Sequence, residues 1–301
     1  MKYKTVTLIL MASLLALSAC RWAGREMAAG APTPAAAPAG TDSFDASLNS
    51  SGVTRHYRLH VPALYRPGQP APLVVNLHGL GADSREQEAL SNMSAKADAE
   101  GFIVVYPDGI NHRWAAGPGT ESQADRRFIR DLVQQLQQQY TLDPQRIYAT
   151  GISNGGGMTN RLGCDLADVI AAIAPVEGAY NFWQTCAPSR PMPVLAFHGT
   201  ADTVVPYEGT GRGDLAPPIR EWAAAWAKRD GCAAQPAITL STQDVTGETW
   251  GNCQGNAAVV LYTIEKHGHG WPGSRLLPQI TSQAINATDV MWDFFKAHPK
   301  L

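Results

Sequence analysis

The chain has 301 residues, 45% of them hydrophobic and 17% charged, enough for one large α/β domain with a sizeable core. Its formal net charge is −2. That balance leaves no electrostatic footprint for nucleic acid or for an anionic membrane surface, so neither is expected as a partner.

The N-terminus reads as an export signal. Lys2 and Lys4 precede an apolar run from Val6 to Ala19, short for a bilayer span but suited to a signal-peptide core. The run ends in Leu17-Ser18-Ala19-Cys20, which resembles the lipobox of bacterial lipoproteins. Residues 1–19 are therefore expected to be a cleaved leader and Cys20 the lipidated new N-terminus. The protein would then be exported and anchored to a membrane without crossing it. An ordinary secretory signal, leaving the protein extracellular, is the alternative. Residues 20–41 are rich in alanine, proline and glycine with no apolar period and read as a tether, so the folded domain is expected over 42–301.

Within that domain, "HYRLHVP" (56–62) alternates as an outer antiparallel strand does. "PLVVNLHG" (72–79), "FIVVYPDG" (102–109), "RIYATG" (146–151), "VIAAIAPV" (169–176), "PVLAFHGTAD" (193–202) and "AVVLYTIE" (258–265) are nearly continuous apolar runs. Such runs suit strands buried on both faces of a parallel sheet. Helices are expected between them at 84–100, ending at Gly101, and at 121–140, where Phe128, Leu132, Val133 and Leu136 form one stripe. Two more are expected at 217–230, opened by prolines, and at 287–299. The alternation predicts one α/β domain, a mainly parallel sheet covered on both faces.

Gly151-Ile152-Ser153-Asn154-Gly155 is a G-x-S-x-G motif between an expected strand and an expected helix, the context a nucleophile elbow requires. The turn is so sharp that side chains flanking the serine would collide with the neighbouring strand and helix, which glycines avoid. A serine hydroxyl needs a base to take its proton and a carboxylate to orient that base. Asp202, just past an expected strand, is the candidate acid, and Asp214 in a glycine-rich loop is the fallback. The base must follow in the chain. His298 ends the last helix and is expected at the surface, leaving His267 and His269 in "EKHGHGWPG", which position alone does not separate.

The reaction also needs donors for the developing oxyanion, and "NLHGLGAD" (76–83) supplies a glycine-rich turn after a buried strand. The backbone N–H groups of Leu80 and Asn154 are the candidates, with His78 expected to be structural. Trp271, beside the candidate base, and Trp114 are candidate substrate-binding walls; Trp183 is a weaker one. Apart from Cys20, the cysteines are Cys164, Cys186, Cys232 and Cys253. An even number in an exported chain predicts two disulfides, and short local loops favour Cys164–Cys186 and Cys232–Cys253. No pair has C-x₂-C spacing, and the His267–His269 pair lacks a carboxylate pattern, so no metal is expected.

Taken together, "LHGLGAD", "YPDG" with Trp114 downstream, "YTLDPQRIYATGISNGGGMTNRLGC", "AAIAPVEG", "PVLAFHGTADTVVPY", "GHGWPG" and "ATDVMWDFF" resemble an esterase family. That family groups polyhydroxybutyrate depolymerases with feruloyl and acetylxylan esterases, and the likeness runs over about 45–299. The resemblance implies an α/β-hydrolase fold, secretion and no cofactor. It also implies His269 as the base, because the family's histidine lies just before x-W-P-G, with Ser153 as nucleophile and Asp202 as acid. Lys266 and His267 stand where the family tends to have glycines. The expected function is ester hydrolysis on feruloyl-, acetyl- or other small or oligosaccharide-linked esters, with hydroxyalkanoate oligomers as the alternative. No linker and added substrate-binding domain follows, which weighs against an insoluble polyester. A non-catalytic binding lipoprotein would be expected to have lost a member of the triad.

Overall fold

A computed structural model describes residue 40 and residues 42–117, 119–181, 183–210 and 216–301. The expected leader, Cys20, the rest of the tether and Asp214 lie outside the described residues.

Ten strands form one sheet: β1 Phe44–Ser50, β2 Val53–His60, β3 Ala71–Leu77, β4 Ile103–Pro107, β5 Leu142–Ile152, β6 Ala172–Val176, β7 Val194–Gly199, β8 Ala237–Ser241, β9 Val245–Trp250 and β10 Val259–Ile264. Their order is β1-β2-β4-β3-β5-β6-β7-β10-β9-β8. The middle six, β4 to β10 in that order, run parallel, and antiparallel pairs close each side. This is the mainly parallel sheet that the apolar runs predict. Strands β3, β4, β6 and β7 are buried along their whole length.

Because side chains alternate across a strand, the sheet carries two cores. Leu73, Val75 and Leu77 of β3 face helices α3 (Thr120–Gln139), α4 (Asn154–Asp165) and α5 (Ile219–Arg229) through Phe128, Leu132, Met158, Leu162, Trp222 and Trp226. Val74, with Val104 and Tyr106 of β4, faces α2 (Met93–Glu100) and α6 (Ala287–Ala297) through Met93, Ala97, Met291 and Phe295. The layers are helix, sheet, helix. Asn160 on the fully buried stretch of α4 accepts both the Trp222 and Trp226 indole N–H groups, at 3.1 and 3.0 Å, which locks α5 over the helix that follows Ser153.

Several elements differ from expectation. The helix expected over 84–100 is two, α1 (Ser84–Ser91) and α2, broken at Asn92, whose left-handed backbone (φ 49°) caps α1. Asparagine tolerates that conformation better than most residues. Strand β5 starts earlier than expected, pairing Leu142 with Ala71. Strands β1, β8 and β9 were not expected. β1 and β8 are the edge strands and β9 lies inside β8; FDASLNS alternates exposed and covered residues, AITLS is mostly exposed, and VTGETW carries polar residues and a glycine, so none shows the apolar run of a central strand. Both disulfides form as expected, Cys164–Cys186 and Cys232–Cys253. Among the described residues no helix is long and apolar enough to cross a membrane.

Candidate active site

Four adjacent parallel strands, β5, β6, β7 and β10, deliver the site from their C-terminal ends, where open α/β sheets bind ligands. Ser153 follows β5, Glu177 follows β6, Asp202 follows β7 and His269 follows β10. Backbone bonds step across these ends: Ser153 N–H donates to Val176 O, Glu177 N–H to Phe197 O and Thr200 N–H to Ile264 O, each at 3.0 Å.

Ser153 sits at φ 57°, ψ −118°, a conformation unfavourable for any residue with a Cβ. The neighbours hold it there. A Cβ at Gly155 would lie 2.4 Å from the carbonyl oxygens of both Leu77 and His78, and one at Gly157 would lie 2.2 Å from Ala179 O. Glycine is therefore required where α4 passes the end of β3 and the segment after β6. Ser153 O in turn accepts the N–H groups of Gly157 (2.9 Å) and Ala179 (3.0 Å).

Asp202 and His269 are brought together: His269 Nδ1 donates to Asp202 Oδ2 at 2.7 Å. The Asp202 side chain is fully buried, whereas that of His269 keeps 18% of its surface exposed. The other Asp202 oxygen, Oδ1, accepts the N–H groups of Val204 (2.8 Å) and Val205 (2.9 Å). Burial alone would push the Asp202 carboxyl up. The bonds from His269, Glu177 and Val205 outweigh it and hold the group at about 2. Asp202 is thus ionised, as an acid that orients an imidazole must be. The structure also separates the two histidines. His267 is buried, accepts Ser282 N–H on Nδ1 at 2.8 Å and turns Nε2 toward Gly270 O and Glu177.

The turn after β3 lies against the serine: a Cβ at Gly79 would be 3.6 Å from Ser153 Cβ. The N–H groups of Leu80 and Asn154 have no backbone acceptor among the described residues. His78 is fully buried and tied at both ring nitrogens, to Gly79 O (2.7 Å) and from Gly109 N–H (3.0 Å). Asn154 grips the backbone of Trp114, accepting its N–H at 2.7 Å and donating to its carbonyl at 2.9 Å. Trp114 lies beneath this grip, its indole N–H donating to His78 O at 3.1 Å. Leu80, Trp114, Asn154, Asn181, Ser122 and Glu121 help line a cavity of about 510 Å³ beside the serine turn. Trp271 is elsewhere. Its indole N–H donates to Thr288 Oγ1 at 3.0 Å, and it packs in the core with α6 rather than on that cavity. Trp183 stands beside Arg229, which donates to its carbonyl at 2.8 Å.

Glu177 was missed. It is fully buried, at φ 45°, and accepts the Gly199 N–H on both carboxyl oxygens (3.0 and 3.2 Å). A lone glutamate ending a wholly apolar strand, level with Ser153, was the available signal. Ligand atoms of Glu177, His198 and Asp202 lie within 4.8 Å of one another, a spread that would admit a metal ion. Each is engaged otherwise: His198 Nε2 donates to Val205 O (2.8 Å), Glu177 holds Gly199, and Asp202 holds His269. The group is a hydrogen-bond network.

A mainly parallel sheet between two helical layers, with serine, acid and histidine in that order at strand ends, is the α/β-hydrolase arrangement. Acetyl xylan esterase from Aspergillus awamori shares the fold, with a TM-score of 0.64 at 16% identity over 84% of this chain and 99% of that one. The chain belongs to the Esterase PHB depolymerase family, which matches residues 57–208. It is 36% identical over 225 residues to Feruloyl esterase B of Piromyces equi, across 69% of this chain but only 41% of that protein's length. It is also 31% identical over 278 residues to the NocK protein of Nocardia uniformis subsp. tsuyamanensis, across 81% of this chain and 80% of that one.

Proposed function

We propose that the chain is a serine carboxylic-ester hydrolase acting through Ser153, His269 and Asp202. The observation that carries this reading is the 2.7 Å bond from His269 to a buried, ionised Asp202, two strand ends from a serine held in a strained turn. With Nδ1 donating to Asp202, His269 Nε2 is the basic nitrogen. It takes the Ser153 proton as Oγ attacks the ester carbonyl, and the Leu80 and Asn154 N–H groups stabilise the oxyanion. His269 then protonates the departing alcohol, and water, deprotonated by the same imidazole, releases the acid and restores Ser153. No cofactor takes part in these steps.

The likeness to Feruloyl esterase B of Piromyces equi and to an acetylxylan esterase, with the polar lining of the cavity, Asn181, Ser122 and Glu121 beside Trp114, supports small or oligosaccharide-linked feruloyl and acetyl esters as substrates. The family's own description keeps hydroxyalkanoate oligomers as the second reading. The test compares wild type with Ser153→Ala, in the fragment from residue 42, on p-nitrophenyl acetate and methyl ferulate. Loss of both activities in the variant is expected. Wild-type silence on both, with hydrolysis of a hydroxybutyrate trimer, would move the substrate to polyester oligomers.

The two disulfides suit an oxidising compartment, and export with a lipid on Cys20 completes the proposal. A Cys20→Ser form that still partitions into detergent would remove the lipid anchor.

A further inference from the structure

Beneath the Asp202–His269 pair lies a buried set of titratable groups that the ester mechanism does not use. Glu177 reaches it from the end of β6, His198 from β7, and His267 from the loop after β10; Tyr180 follows Glu177 in the chain. Glu177, His198 and His267 have fully buried side chains. Glu177 faces His198 Nε2 at 3.2 Å and His267 Nε2 at 3.3 Å, and a carboxyl oxygen of Glu177 lies within 4.8 Å of one of Asp202.

The proton positions follow from the partners. His267 Nδ1 accepts the Ser282 N–H, so its proton is on Nε2. His198 Nε2 donates to the Val205 carbonyl, so its proton is there too. Burial pushes both imidazoles down, His198 to about 4, so both are neutral. Neither supplies a cation, and two adjoining carboxylates without one cannot both stay ionised in a dry site. Asp202 has the donors that favour a carboxylate: His269 and the Val204 and Val205 N–H groups. Burial and the neighbouring Asp202 charge push the Glu177 carboxyl well above its usual range.

We propose that Glu177 is a positioning residue for the hydrolytic site: a neutral carboxylic acid that accepts the Gly199 N–H and donates its O–H to Asp202. The proposal rests on the reading of Asp202 and His269 as the catalytic pair. Glu177 ties together the two chain segments that must stay in register. Gly199 begins the turn that carries Asp202, with Asp202 N–H donating to Gly199 O at 3.4 Å. That turn is joined to the histidine loop, because Ala201 N–H donates to His267 O at 3.1 Å. One proton held on Glu177 leaves a single negative charge on Asp202, directed at His269. The left-handed backbone of Glu177, which an ordinary residue avoids, is consistent with a side chain held at this point by its contacts.

The experiment compares wild type, Glu177→Gln and Glu177→Met on p-nitrophenyl acetate, per active site titrated with an organophosphate, and Ser153→Ala on the same ester per mole of folded protein. Glutamine keeps an acceptor for Gly199 and an N–H donor for Asp202. Glu177→Gln is therefore expected to hold kcat within about threefold of wild type. The acid limb of its kcat/KM profile should stay in place, because no charge is removed. Glu177→Met keeps the volume without donor or acceptor. Its kcat is expected to fall by on the order of 10²-fold with KM little changed, the size of effect that misplacing a reacting group produces. Infrared difference spectra of wild type minus Glu177→Gln at neutral pH should contain a protonated-carboxyl band. Three results would each overturn the proposal: a Glu177→Gln acid limb moved to lower pH, which reports loss of a negative charge; absence of the carboxyl band; or a folded Glu177→Met enzyme with wild-type kcat. If Glu177→Met does not fold, the glutamine profile and the infrared band decide. Full activity in Ser153→Ala would instead sink the underlying triad reading and the role of Glu177 with it.

Discussion

The serine turn and the acid–base end of the site are held by different physics. At Ser153 the constraint is steric: backbone passes so close to Gly155 and Gly157 that a Cβ would overlap carbonyl oxygens. At Asp202 and His269 the constraint is polar: the Asp202 carboxyl is surrounded by donors from its own turn, from the histidine loop and from Glu177. The steric device leaves a mark in the local sequence, a cluster of glycines. The polar device leaves almost none, because its members lie far apart in the chain and meet only when β6, β7 and β10 align.

The contrast can be broken most severely at the glycines. Gly155→Ala and Gly157→Ala each drive a Cβ into backbone, which cannot rotate away, so each is expected to cost several kcal/mol and leave no folded enzyme. Thermal unfolding and soluble yield measure this. Asp202→Asn acts on the polar device and should leave the fold intact. It is expected to lower kcat by roughly 10⁴-fold, since an amide no longer fixes the imidazole tautomer, with a fall in melting temperature well short of the loss at the glycines. A comparable fall in stability would show that the two regions are not held separately.

The Cys164–Cys186 bridge ties the C-terminal end of α4 to the connection between β6 and β7, away from both regions. Replacing both cysteines with serine is expected to cost about 3 kcal/mol in the loop-entropy account. Calorimetry should show a fall of about 2–4 °C per kcal/mol.

The smallest effect sharpens the comparison between two buried aspartates. Asp230 has one donor, Met192 N–H at 3.0 Å, while its Oδ2 has no partner among the described residues. Burial pushes it up to about 7, whereas Asp202 is held at about 2. The signs are opposite. Asp202, depressed below its ordinary 3.8, contributes stability above that value and loses it as pH falls toward 2. Asp230, raised above the same 3.8, contributes stability at low pH and loses it as pH rises toward about 7. Asp230→Asn should therefore gain in melting temperature relative to wild type between pH 5 and pH 8. A constant difference over that range would show that Asp230 is ionised throughout.

Much of the architecture was legible in the residues. Doubly buried strands must be apolar on both faces, so β3, β4, β6 and β7 announce themselves, whereas the edge strands β1 and β8, and β9 with its polar residues and glycine, do not. The short Cys–Cys separations also sufficed to pair the disulfides. The break at Asn92 was not legible, because a single asparagine in a helical stretch does not reveal whether it will turn left-handed.

By itself, the sequence determined the order of the central elements, the serine in its glycine turn, and an aspartate and a histidine pair at the right strand ends. Those are local properties, written in the periodicity and sterics of neighbouring residues. The tertiary structure alone decided that Trp271 belongs to the core and that Glu177 enters the site at all, and it brought His269, the histidine the family resemblance implies, onto Asp202. Each of those outcomes depends on hydrogen-bond distances between segments remote in the chain, and such distances exist only once the strands are in register.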